Sequence, residues 1–169
     1  MRLEEANALG EREFTARLGA IFERSPWIAE QAWKKKPFRS VDELHEAMTQ
    51  IVRHASREQQ LALARAHPEL AGAEASAGAL TADSSSEQGR LGFTALCREE
   101  FVKLTDLNRR YREKFGFPCI VALYLHASRN SVIQLMEQRL AHDAATELAN
   151  ALEQVGHIAR GRLAKVFGS

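Results

Sequence analysis

Two polar clusters, Ala66-His67-Pro68-Glu69-Leu70 and Ser84-Ser85-Ser86-Glu87-Gln88, flank an Ala- and Gly-rich stretch from Ala71 to Ala79. A histidine and a carboxylate brought to one pocket from these positions can pass protons to and from a bound molecule. Imidazole titrates near pH 7 and suits both directions of transfer. Each group also has a plain structural reading. A histidine beside an apolar face often belongs to the core. A carboxylate in the first turn of a helix satisfies unpaired N–H groups and complements the dipole. Ser84, Ser85 and Ser86 read as cap residues whatever the function. A serine nucleophile is disfavoured, because the sequence has no Gly-x-Ser-x-Gly elbow.

Arg162 stands beside the apolar positions Ile158 and Leu163. It can be solvated, or it can point inward and hold a carboxylate or ureido carbonyl by paired N–H bonds. The other histidines, His45, His54, His126, His142 and His157, form no ligand pair of recognisable spacing, so no metal site is expected.

The elements that must carry these groups read as helices nearly throughout, and the expected fold is an all-α, single-domain multi-helix bundle over residues 1–169. Phe14, Leu18, Ile21 and Phe22 share one helical face. Ser25 and Pro26 open a short helix with Trp27, Ile28 and Trp33. Ser40-Val41-Asp42-Glu43 is a capping box for a helix to about Ala55, and Ser56-Arg57-Glu58-Gln59 opens the next. That helix must stop near His67, because proline disfavours a helical conformation at the residue before it. Residues 71–82 read as loop. A long helix is expected from within Ser84–Ser86 to Gly116, with Phe93, Cys97, Phe101, Leu104, Asn108, Tyr111 and Phe115 along one stripe and Glu87 and Gln88 in its first turn. The apolar run Phe117 to Leu123 fits a short strand or a buried helix start equally well. Helical patterns resume over Ser131–Leu140 and Asp143–Val166.

Composition sets the outer bounds. The chain has 169 residues, 45% hydrophobic and 27% charged, with a formal net charge of +1. That balance gives no reason to expect nucleic acid or an anionic membrane as partner. Cys97 and Cys119, 22 residues apart, match no common zinc spacing and read as two reduced core thiols. No run reaches the roughly 18 to 20 apolar residues that span a bilayer. The acidic start, Met1-Arg2-Leu3-Glu4-Glu5, lacks a signal-peptide core, so a cytoplasmic location is expected.

Several motifs, taken in order, resemble the OHCU decarboxylase family, OHCU being 2-oxo-4-hydroxy-4-carboxy-5-ureidoimidazoline. They are His67-Pro68-x-Leu70, Thr81-x-x-Ser84-x-x-Glu87-Gln88, Leu107-Asn108-x-x-Tyr111-x-x-Lys114-Phe115-Gly116-Phe117-Pro118 and Ile158-Ala159-x-x-Arg162-Leu163. Phe14, Ser25-Pro26-Trp27 and Pro37-Phe38 fit as well. The resemblance implies cofactor-independent decarboxylation of OHCU to (S)-allantoin in urate breakdown. It implies His67 and Glu87 as the catalytic pair. Pro68, Ser84, Ser85, Ser86, Gln88, Arg162 and the segment Cys119, Ile120, Val121, Ala122 and Leu123 would meet the substrate. It also implies a homodimer. Position 119 is Cys where the family often has Phe. Two rival readings stay open: a non-catalytic helical binding module, and a hydrolase acting on a related ureide.

Overall fold

The structure, a computed structural model, describes residues 1–168. Its helices are α1 (Leu3–Ala8), α2 (Glu11–Leu18), α3 (Trp27–Trp33), α4 (Val41–His54), α5 (Arg57–Ala66), α6 (Ala73–Ser76), α7 (Ala82–Arg90), α8 (Arg98–Phe115), α9 (Arg129–Arg139) and α10 (Ala144–Phe167). A 3-10 helix covers Leu123–Leu125. No strand occurs among the described residues, so the all-α expectation holds. The chain divides into two compact units, one of Met1–Ala66 with Val155 onward, the other of His67–Gln154.

In the first unit α2 packs on α3 and α3 on α4. Phe14, Leu18, Ile28, Leu44 and Met48 form its fully buried centre. The caps of α4 and α5 follow the sequence; α3 instead starts at Trp27 with Pro26 as its N-cap, and Ser25 Oγ donates to Glu23 O at 2.9 Å rather than capping it. Ser40 Oγ accepts from Glu43 N at 3.0 Å. At the start of α5, Gln59 N donates to Ser56 Oγ at 3.2 Å while Ser56 N donates to Gln59 Oε1 at 3.1 Å, closing a reciprocal box. α5 ends at Ala66, as Pro68 requires.

In the second unit α8 is the spine. Leu104, Leu107, Asn108, Tyr111 and Phe115 are buried along it. The rings of Tyr111, Phe115 and Phe117 lie 4.6 to 6.2 Å apart. Gly116 stops α8 at φ +77°, a left-handed conformation that costs other residues more.

Several expectations are corrected here. The single long helix is two helices. α7 stops at Arg90 and α8 starts at Arg98, with Gly92 at φ +74° in the turn between them. The Arg129 guanidinium lies where a Cβ on Gly92 would stand. It donates to Leu91 O at 3.3 Å and Gly92 O at 3.4 Å, and pairs with Glu100 at 3.0 Å. α7 also begins earlier than expected, because Thr81 Oγ1 accepts from Ser84 N at 3.3 Å and caps it. Glu87 and Gln88 therefore sit in the second turn. Cys97, the residue before α8, is exposed rather than in a core. The short α6 interrupts the expected loop. The run from Phe117 to Ala122 is neither strand nor helix start but buried, irregular chain.

Candidate active site

His67 leaves α5 at its C-terminal end and is 6% exposed. Pro68 follows it, partly buried, and the chain then turns sharply: Ala71 has φ +49°. Gly72 comes so close to Glu69 that an added Cβ would lie 2.6 Å from the Glu69 Cβ. α7 lies against this turn through Gln88. Its Oε1 accepts from Ala71 N at 2.9 Å and its Nε2 donates to Glu69 O at 3.2 Å.

Helical spacing explains which α7 side chains face inward. Ser84 and Gln88 are buried at 4% and 3%, and Glu87 is half-buried between them. Ser85 and Ser86 are exposed on the other side of the helix. The structure thus gathers Ser84 and Gln88 on the face that meets the turn after His67, and it does not gather the Ser85 and Ser86 side chains there.

The same α7 packs on the 3-10 helix Leu123–Leu125. Arg90 Nη2 donates to Leu123 O, and to His126 O at 3.0 Å. Cys119 to Leu123 are all buried. Two further side chains hold this segment: Arg139 Nη1 donates to Ile120 O at 2.5 Å, and Gln154 Oε1 accepts from Ala122 N at 2.9 Å.

Arg139 also belongs to a charged cluster, buried except for its histidine. Arg139 is 3% exposed, and Glu147 and Tyr111 are 0% exposed. Arg139 pairs with Glu147 at 2.5 Å, Tyr111 OH donates to the same carboxylate, and His142 Nδ1 lies 2.9 Å from its other oxygen. Burial alone would raise the Glu147 carboxyl. The hydrogen bonds from Tyr111, Arg139 and His142 outweigh it and hold the group below its ordinary range. Burial pushes the Cys119 thiol up to about 12, so it stays a neutral, unreactive thiol near pH 7. The sequence reading gives this cluster no role, and it names Asn108 only as part of a stripe and a family motif. The available signal was a polar residue in phase with an apolar stripe: Arg139 follows Val132, Ile133 and Met136 on α9, and Asn108 follows Leu104 on α8.

Arg162 belongs to the other unit. There it is 3% exposed, so it is not the solvated arginine of the first sequence reading. It pairs with Glu23 at 2.9 Å, and its Nη1 reaches Ala20 O at 3.3 Å. Among the described residues no three His, Cys, Asp or Glu side chains converge as metal ligands.

An all-α frame with a buried histidine and a polar helix face beside it matches a solved class of protein. A crystal structure of (S)-allantoin synthase superposes with a TM-score of 0.79 at 28% identity, over 98% of this chain and 54% of that one. A 2-oxo-4-hydroxy-4-carboxy-5-ureidoimidazoline decarboxylase of Haloferax volcanii is 40% identical over 169 residues, all of this chain and 98% of that protein. One of the same name from Halalkalicoccus jeotgali is 36% identical over 96% of this chain and 90% of its own length. Residues 7–164 match the OHCU decarboxylase family model, and the chain belongs to the OHCU decarboxylase family.

Proposed function

We propose that this protein decarboxylates OHCU to (S)-allantoin, as a carboxy-lyase of urate breakdown. The observation that carries the reading is the family match over nearly the whole chain, together with a buried His67 whose following turn is bonded to α7. In the reaction the bond between the ring carbon and its carboxylate breaks. The electron pair enters the ring toward the adjoining C=N group, and CO2 departs. The nitrogen of the former C=N takes one proton, and its ring carbon takes another on one face while the hydroxyl gives one up to become a carbonyl. One proton is taken up overall. The substrate's own C=N is the electron sink, so the chemistry asks the protein for orientation and proton handling.

In this reading His67 gives the proton and Glu87 accepts from the substrate hydroxyl or orients the imidazole. Pro68, Ser84, Ser85, Ser86 and Gln88 line the site, the places of the exposed Ser85 and Ser86 resting on the resemblance alone. Cys119 to Leu123 supply an apolar wall and backbone groups, and Arg162 binds substrate oxygens, a role that rests on the resemblance alone. The apolar wall disfavours the substrate carboxylate relative to neutral CO2.

The test is to generate OHCU from urate with the upstream enzymes and follow circular dichroism of the allantoin. Rapid build-up of one enantiomer is expected. A slow racemic background that the protein leaves unchanged would sink the reading, and product formed by uptake of water without CO2 release would favour a hydrolase.

The cytoplasmic, homodimeric form belongs to the same proposal. No helix among the described residues is long and apolar enough to cross a membrane. Phe101, Val102, Tyr124 and Leu125 are 45 to 60% exposed, and such apolar surface is what a second copy would cover. Sedimentation equilibrium at micromolar concentration should give a dimer, and a monomer at all concentrations rejects that part.

A further inference from the structure

We propose that Asn108, working with Gln88, is a positioning residue for His67. The inference rests on His67 being the proton donor of the proposed reaction.

Three consecutive residues after His67-Pro68 are gripped by two buried side-chain amides. Gln88 holds Glu69 O and Ala71 N, as described above. Asn108 Nδ2 donates to the carbonyl between them, Leu70 O, at 2.9 Å. Asn108 is 6% exposed, so losing this bond leaves a buried carbonyl unsatisfied. A fourth tie comes from the same helix one turn on, where Arg112 pairs with Glu69 at 2.7 Å. α7 and α8 thus hold one tight turn from two sides.

The consequence falls on His67. Its backbone is fixed on one side by the last turn of α5 and on the other by the clamp, only one residue beyond Pro68. Proline locks one of the few torsions between them. The turn also carries Ala71 at φ +49°, a conformation an alanine holds only when its surroundings impose it. Loosening the clamp lets Ala71 relax, and the relaxation travels through Pro68 to the imidazole. A proton donor displaced by about 1 Å costs on the order of 100-fold in rate. Unlike Gln88, Asn108 and Arg112 have no place among the substrate-lining residues, so the loss on changing either should appear in kcat.

Asn108→Leu keeps the size and removes the donor. We expect kcat to fall about 10- to 100-fold with KM within about 3-fold. The decisive comparison is a double-mutant cycle with His67→Asn. If Asn108 acts through His67, Asn108→Leu should cost almost nothing further once the imidazole is gone. Equal losses in both backgrounds, or KM rising in step with falling kcat, would overturn the positioning role while leaving His67 catalytic. Full activity in His67→Asn alone would instead overturn the catalytic reading, and the positioning role with it. Should Asn108→Leu fail to fold, Arg112→Gln loosens the same turn from the surface, since Arg112 is 61% exposed. It should show the same kcat-only loss at about 3- to 5-fold, again absent in the His67→Asn background. A wild-type kcat in Arg112→Gln and in a folded Asn108→Leu would reject the clamp.

Discussion

His67→Asn should lower kcat for OHCU by on the order of 10² to 10⁴, the usual range for a positioned general acid or base, while the far-UV helical signal stays at its wild-type level. Asparagine can still hydrogen-bond, but it cannot carry a proton near pH 7. The substitution is local: His67 stands after the last residue of α5, so no helix hydrogen-bond ladder depends on its side chain. The site is buried, and the smaller side chain should cost no more than a modest part of the stability. A variant with kcat within a few-fold of the wild type would show that His67 is structural.

Arg139→Met should destabilise the fold by about 3 to 5 kcal/mol, measured by urea unfolding. The cause is the group left behind. Glu147 is fully buried, and without the guanidinium its charge keeps only Tyr111, His142 and Asn150 as partners. A whole domain is stable by only about 5 to 15 kcal/mol, so this loss brings the protein near unfolding. The double variant Arg139→Met with Glu147→Leu should recover much of the loss, because it removes the orphaned charge. Equal loss in the single and double variants would show that the guanidinium matters through Ile120 O rather than through Glu147. The pH dependence has a definite sign. Glu147 titrates below its ordinary range in the folded protein. Its contribution is therefore present above the unfolded carboxylate pKa of about 4.3 and is lost as pH falls through the lower folded value. The double variant should lack that part of the acid transition.

The sequence made the fold class plain, because caps and periodicity agree locally. Ser40 and Ser56 announce α4 and α5, and Pro68 announces where α5 must end. The break between α7 and α8 was hidden because Phe93 and Cys97 continue the apolar spacing straight through it. What holds that break is Arg129, 37 residues from Gly92, and no local pattern reports a partner so distant. The site divided in the same way. His67 was legible because proline pins it to a helix end. The work of Gln88 and Asn108 was not legible, since their partners are backbone atoms of another element. A side chain's sequence neighbours say nothing about those. Nothing local in the sequence marks Arg139 and Glu147 as a pair: only the packed structure shows that both are buried and joined.

Cys119–Leu123 is largely irregular chain that neighbouring side chains hold by its backbone. Irregular chain usually moves, and a ligand that docks on moving chain must freeze it, at about 1 to 2 kcal/mol for each backbone residue. Here the ordering is complete beforehand. Arg139 grips Ile120 O, Gln154 grips Ala122 N and Arg90 grips Leu123 O. A small polar substrate with few atoms to bind by gains most from a wall of this kind, because little of its binding energy is consumed in organising the protein. If the substrate docks on this wall as proposed, its affinity should depend less on new contacts than on how firmly Arg139, Gln154 and Arg90 keep the wall still.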